Sequence, residues 1–139
     1  MTDFSVPVVL EPQSISVAIE GAQERLEEAG VDARAAMHVA LTLDELLTNA
    51  ATHGGAQGQS AEVRIKVAPD RVGVEIIDPA AAYDPRSAPR PDTGASLEDR
   101  RIGGLGVHLV MKLSRDLDYA RDKDRNRTNY WIARSARPD

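Results

Sequence analysis

The sequence of 139 residues predicts an α+β fold, a two-layer α/β sandwich in which three helices cover one face of a mixed, mostly antiparallel sheet. Three observations carry that expectation. Apolar residues recur at helical spacing in three separate stretches, residues 62–67 and 72–77 alternate or run apolar about a Pro69-Asp70 turn, and strand-like runs stand near both ends. A chain of this length can bury about two-thirds of its unfolded surface. A single domain over 1–139 is therefore expected, and neither a repeat nor a linker divides it.

Taken in order, residues 4–10 are rich in Val and close on Glu11-Pro12, which predicts a first strand suited to a sheet edge. Ser14 is the expected cap of a first helix on which Ile15, Ile19, Ala22, Leu26 and Ala29 repeat, with Gly30 as its left-handed terminator. Asp32 caps a second helix that runs to Gly54-Gly55. The hairpin follows, and its second strand stops at Asp78. Residues 79–102 hold prolines, alanines and alternating charges without periodicity, and are expected to form a lid. A third helix covers residues 103–113, residues 116–121 form a short strand, 122–127 a polar turn, and 128–133 a last strand containing Trp131.

Composition removes several classes of function. With no cysteine there is neither a disulfide nor thiol chemistry, which is compatible with a reducing, cytoplasmic setting. No stretch approaches the ~20 apolar residues of a membrane span. A net charge of -5 and a single Trp and Phe argue against a nucleic-acid binder, which needs clustered cations or stacking platforms.

Chemistry concentrates on the second helix. Val39, Leu43, Leu46 and Ala50 form a stripe for burial, while Glu45, Asn49 and His53 follow one another at every fourth position. That places a carboxylate and a carboxamide one turn apart, either as a wet outer face or as a site. Oxygen donors of this kind suit Mg2+, and Glu45 can equally accept a proton from a hydroxyl. Gly103-Gly104-Leu105-Gly106 leads into a helix, where open backbone N–H groups attract phosphate; the alternative is a plain hinge. Asp78 ends an apolar strand, where it either caps a turn before Pro79 or needs a donor partner such as an adenine amino group.

In this order the pieces resemble the GHKL (Bergerat-fold) ATPases, and among them the small anti-sigma factor serine/threonine protein kinases. Residues 43–54 look like the N box, Asp78 through Tyr83-Asp84-Pro85 like the G1 box and its sequel, residues 103–110 like the G2 box, and Asn126-Arg127-Thr128-Asn129 like the turn and threonine that close the pocket. The resemblance implies ATP and Mg2+ as ligands, with Glu45 as general base and Asn49 as metal ligand. It further implies Asp78 on the adenine amino group, Gly104, Leu105 and Gly106 near the phosphates, Thr128 on the adenine side and Arg101 toward the terminal phosphate. His53 and His108 are expected to bond locally rather than to catalyse, and His38 is a poor phosphoacceptor.

The implied function is phosphorylation of a serine on a STAS-type anti-sigma factor antagonist by a homodimeric protein that also holds a sigma factor. Two alternatives accompany it: a sequestering module without catalysis, and a stand-alone histidine kinase-type ATPase domain. One position departs from the pattern, since Ala80 stands where the G1 box has glycine. If that site needs positive φ or close backbone approach, its methyl group costs on the order of 1 kcal/mol.

Overall fold

The computed structural model describes residues 2–87 and 104–135, so residues 88–102 of the expected lid, with Arg101, and Gly103 lie outside the described residues. Strand β1 (Thr2–Val9) leads into α1 (Pro12–Glu28) and α2 (Ala33–Ala51), followed by β2 (Ser60–Val67) and β3 (Arg71–Asp78). A 3-10 turn (Pro85–Ser87) comes before α3 (Gly104–Leu113), β4 (Arg115–Asp122) and β5 (Arg125–Ala133). The sheet order is β1-β2-β3-β5-β4. Among the described residues the expected sandwich of three helices and one sheet is what forms.

The sheet is antiparallel at every join rather than mixed. Connectivity explains this. Two successive helices between β1 and β2 return the chain reversed, whereas a single crossover helix leaves strands parallel. The connection from β3 through α3 to β4 is such a crossover, but β5 lies between its two strands. β1 takes a sheet edge, as its position and composition suggest.

Local rules set most boundaries. α1 begins at Pro12 with Glu11 as a cap that makes no side-chain bond, so Ser14 lies inside the helix instead of capping it. Proline's fixed φ and missing N–H suit the first helical turn and move the start forward. Gly30 has φ 84 and donates its N–H to Glu27 O at 3.0 Å, closing the helix as expected. The Asp32 carboxylate accepts from Ala35 N at 3.2 Å at the head of α2. α2 stops at Ala51, before the glycines, and Gly54 N reaches back to Asn49 O at 2.8 Å.

The expected turn at 122–127 shrinks to Lys123-Asp124. Asp122 and Arg125 are already paired strand residues, and Lys123 takes φ 56. Charge there marks an edge strand, which favours polar side chains, rather than a loop.

The core lies between sheet and helices. Val39, Leu43 and Leu47 of α2 meet Val72, Val74 and Ile76 of β3 and Ile132 of β5. Tyr130 is buried among them, and its hydroxyl donates to Thr42 Oγ1 at 2.8 Å. Thr42 passes its own proton to the His38 and Val39 carbonyls at 2.9 and 3.0 Å. Burial pushes the Tyr130 phenol pKa up, which keeps it a neutral donor. This bond also fixes the inward parity of β5: Asn126, Thr128, Tyr130 and Ile132 share the helix side. The opposite face stays wet, with Glu75 between Arg64 and Arg127 at 3.3 and 3.4 Å.

Candidate functional site

Glu45 and Asn49 lie on the half-buried flank of α2, one turn apart, near enough for the Asn49 amide to favour the ionised Glu45 carboxyl. Burial raises the Glu45 pKa above its ordinary value. Asn49 opposes that shift, the Asp44 charge adds to it, and His53 opposes it more weakly. A carboxyl held in this way moves toward the range in which a base works near neutral pH.

α3 approaches this group end on. Gly104 and Leu105 open the helix, and a Cβ built on Gly106 would fall 1.9 Å from the Glu45 carboxyl carbon and from Oε1. Only glycine permits that approach. Tyr83, from the segment after β3, is close enough for the Glu45 charge to help raise its phenol pKa, behind burial and Asp84. Asp84 in turn binds Arg86 at 2.8 Å, and Arg86 reaches Asp118 of β4 at 3.4 Å, so the 3-10 turn is tied to the sheet.

The second half of the site is the end of β3. Asp78 is buried, and its Oδ1 accepts from Ala80 N at 2.9 Å and from Asn126 Nδ2 at 3.0 Å. Thr128, also buried, sits opposite Ile76 on the same side of the sheet. The two halves are joined by backbone, since Ala81 N donates to Gly54 O at 3.0 Å just past the end of α2.

Ala80 needs no glycine-like conformation, because Asp116 and Lys123 are the positive-φ residues other than glycine among the described residues. Its methyl points to Gly54, where an added Cβ would come within 2.6 Å of it. Gly54 leaves the room that Ala80 fills, so the methyl lies toward the end of α2. The cost expected from a strained alanine does not arise.

A family model described as the histidine kinase-like ATPase domain matches residues 8–130. The chain belongs to this family. It is 34% identical over 91 residues to the serine/threonine-protein kinase BtrW of Bordetella bronchiseptica, and the match spans 64% of each protein, just under two-thirds of that relative's length. Two solved structures share the fold. One is the RsbU and RsbW domains of a Mycobacterium tuberculosis protein (TM-score 0.67, 17% identity, 99% of this chain and 34% of that one). The other is the SiaB–SiaC complex of Pseudomonas aeruginosa (TM-score 0.66, 16% identity, 93% of this chain and 88% of that one). These findings agree with the resemblance to anti-sigma factor kinases carried by the motifs.

In this histidine kinase-like ATPase domain the structure brings Glu45, Asn49 and Gly106 into one group, and Asp78 and Thr128 into another. Gly104 and Leu105 are the first residues of α3, and Arg101 lies outside the described residues. Among the described residues no group of three or more His, Cys, Asp or Glu side chains is arranged to hold a metal. The half-buried Asn49 side chain carries a carboxamide oxygen, a donor of the kind that Mg2+ takes. No helix of the described residues is long and apolar enough to cross a membrane.

Sequence reasoning quoted Asn126 only as part of a pocket-closing turn, without its bond to Asp78, and it missed Tyr119 and Arg121. A usable signal was present: Asn126 shares inward parity with Thr128, Tyr130 and Ile132, and a polar side chain in such a row calls for partners. It also missed Gly54 as the neighbour of Ala80, a contact no spacing rule reports.

Proposed function

We propose that the protein binds ATP with Mg2+ and phosphorylates a serine of a STAS-type anti-sigma factor antagonist, acting as a cytoplasmic homodimer that also holds a sigma factor. The observation that carries this reading is the group of Glu45, Asn49 and Gly106. It places a base of raised pKa beside an oxygen donor at the glycine-rich start of a helix. Family membership and the similarity to BtrW support it.

Asp78 takes the adenine amino group, and Thr128 supports the same side of the base. Backbone N–H groups at Gly104, Leu105 and Gly106 face the phosphates, with the helix dipole favouring their charge. Asn49 would hold Mg2+ through its carboxamide oxygen, and the ion would supply positive charge to offset that of the transferring phosphoryl. Glu45 removes the serine proton as the serine oxygen bonds phosphorus and the bond to ADP breaks.

The sequestering reading draws its support from Ala80; the ordinary φ of that residue and its contact with Gly54 speak against backbone strain there, and nucleotide titration decides between the two readings. Two measurements test the proposal: calorimetric titration with ATP and Mg2+, and transfer of labelled terminal phosphate to an antagonist protein. Binding and transfer by wild type, with transfer lost in Glu45→Ala, are expected. No transfer by wild type, or equal transfer by Glu45→Ala, overturns it.

A further inference from the structure

We infer that Asn126 is a positioning residue which aims the Asp78 carboxylate and thereby sets the choice of base; this rests on the nucleotide reading above. Asn126 is 4% exposed, and both ends of its amide are engaged. Nδ2 donates to Asp78 Oδ1 at 3.0 Å, to the Ala80 carbonyl at 3.2 Å and to the Ala81 carbonyl at 3.0 Å. Oδ1 accepts from the Tyr119 hydroxyl and from Arg121 NH1 at 3.1 Å. Arg121 NH1 also donates to the Ala80 carbonyl at 2.7 Å.

This arrangement permits one orientation of the amide. A flipped amide would set its carbonyl against three oxygen acceptors and its NH2 against a guanidinium. With the amide fixed, Asp78 Oδ1 has two donors, one from Asn126 and one from Ala80 N. Rotation of the carboxylate is pinned, and Oδ2 is left to meet a ligand. A carboxylate oxygen only accepts, so it pairs with the exocyclic amino group of adenine and repels the carbonyl that guanine carries at the same ring position. Without Asn126 the carboxylate is free to turn, and the Ala80 and Ala81 carbonyls lose a donor. Discrimination then falls even if the pocket keeps its shape.

Calorimetric titration of wild type, Asn126→Ala and Tyr119→Phe with ATP and separately with GTP, both with Mg2+, tests this. Wild type is expected to prefer ATP by roughly a hundredfold, the size of a hydrogen bond to a charged group. Asn126→Ala is expected to lose about tenfold in ATP affinity with GTP affinity little changed, the size of one unmet buried bond. Tyr119→Phe keeps the Arg121 contact and is expected to move the same way by a smaller factor. It carries the test alone if thermal melting shows Asn126→Ala unfolded. Variants with wild-type ATP affinity and ratio overturn the inference, as does an equal loss for both nucleotides, which marks a merely structural role. Both leave the nucleotide reading standing. Wild type that binds neither nucleotide overturns the two together.

Discussion

Replacing Gly106 by alanine should displace Glu45 more than it disturbs the fold. The new methyl would lie 1.9 Å from the carboxyl carbon and from Oε1, and 2.3 Å from Oε2, whereas ordinary contact begins near 3.4 Å. The carboxyl must therefore withdraw by about 1.5 Å, the difference between those distances, and because Glu45 is only half-buried, solvent is a side open to it. Misplacement of a reacting group by 1 Å is enough to cost about a hundredfold in rate. Burial is the main cause of Glu45's raised pKa, so withdrawal returns the pKa toward 4.5. Two assays follow the change: a carbon-detected NMR titration of the Glu45 carboxyl, and single-turnover phosphoryl transfer at saturating ATP. Glu45→Asp shortens the side chain by about 1.5 Å and, combined with Gly106→Ala, should recover part of the lost rate. A Gly106→Ala protein that folds with an unchanged Glu45 titration and an unchanged rate would refute the steric reasoning.

Glu45 also gives a pH signature. Its folded pKa is raised, so the stability advantage of the neutral form is full below the ordinary value of 4.5 and is lost as pH rises through the folded pKa. Glu45→Gln should accordingly melt higher than wild type at pH 7.5, with the gap closing as pH falls to about 4. Gly54→Ala should destabilise by about 1–3 kcal/mol in urea unfolding, because its methyl meets Ala80 and backbone that cannot yield. Ala80→Gly should relieve part of that cost and, made alone, leave ATP affinity within about twofold, well under the tenfold that 1.4 kcal/mol represents. Tyr130→Phe removes one buried hydrogen bond to Thr42 and should cost about 1 kcal/mol, read as a lower urea midpoint at constant slope.

What sequence reasoning could reach was set by range. α2 was legible because its apolar stripe, its Asp32 cap and its polar flank all repeat within a few residues. The same locality made Glu45 and Asn49 stand out as a pair. β1 and the 62–77 hairpin were legible through alternation and a turn signal. The two strands of the β4–β5 hairpin were legible as well, but not their reach into 122 and 125–127, because Asp122 and Arg125 have the composition of a loop, and pairing rather than propensity makes them strand. The approach of Gly106 to Glu45 and the bond from Asn126 to Asp78 each join distant parts of the chain. Such contacts depend on sheet register and helix docking, for which no local pattern stands in. Ala80 shows the same limit from the other side: a departure from a motif looked costly until the neighbour that accommodates it, Gly54, was in view.

The place of β5 between β3 and β4 has a consequence for biosynthesis. Asp78 acquires Asn126 and the neighbouring Thr128 from the strand made last among the described elements. A nascent chain that has released β1, β2 and β3 already holds Glu45 and Asn49, but of the two donors to Asp78 it has only the nearby Ala80 N–H and lacks the Asn126 amide. At translation speeds of about 5–20 residues per second, several seconds separate the two halves of the site. Under the proposed nucleotide reading, capture is thereby deferred until the sheet is complete, so that ligand binding would report on finished molecules and stabilise them selectively over incomplete ones.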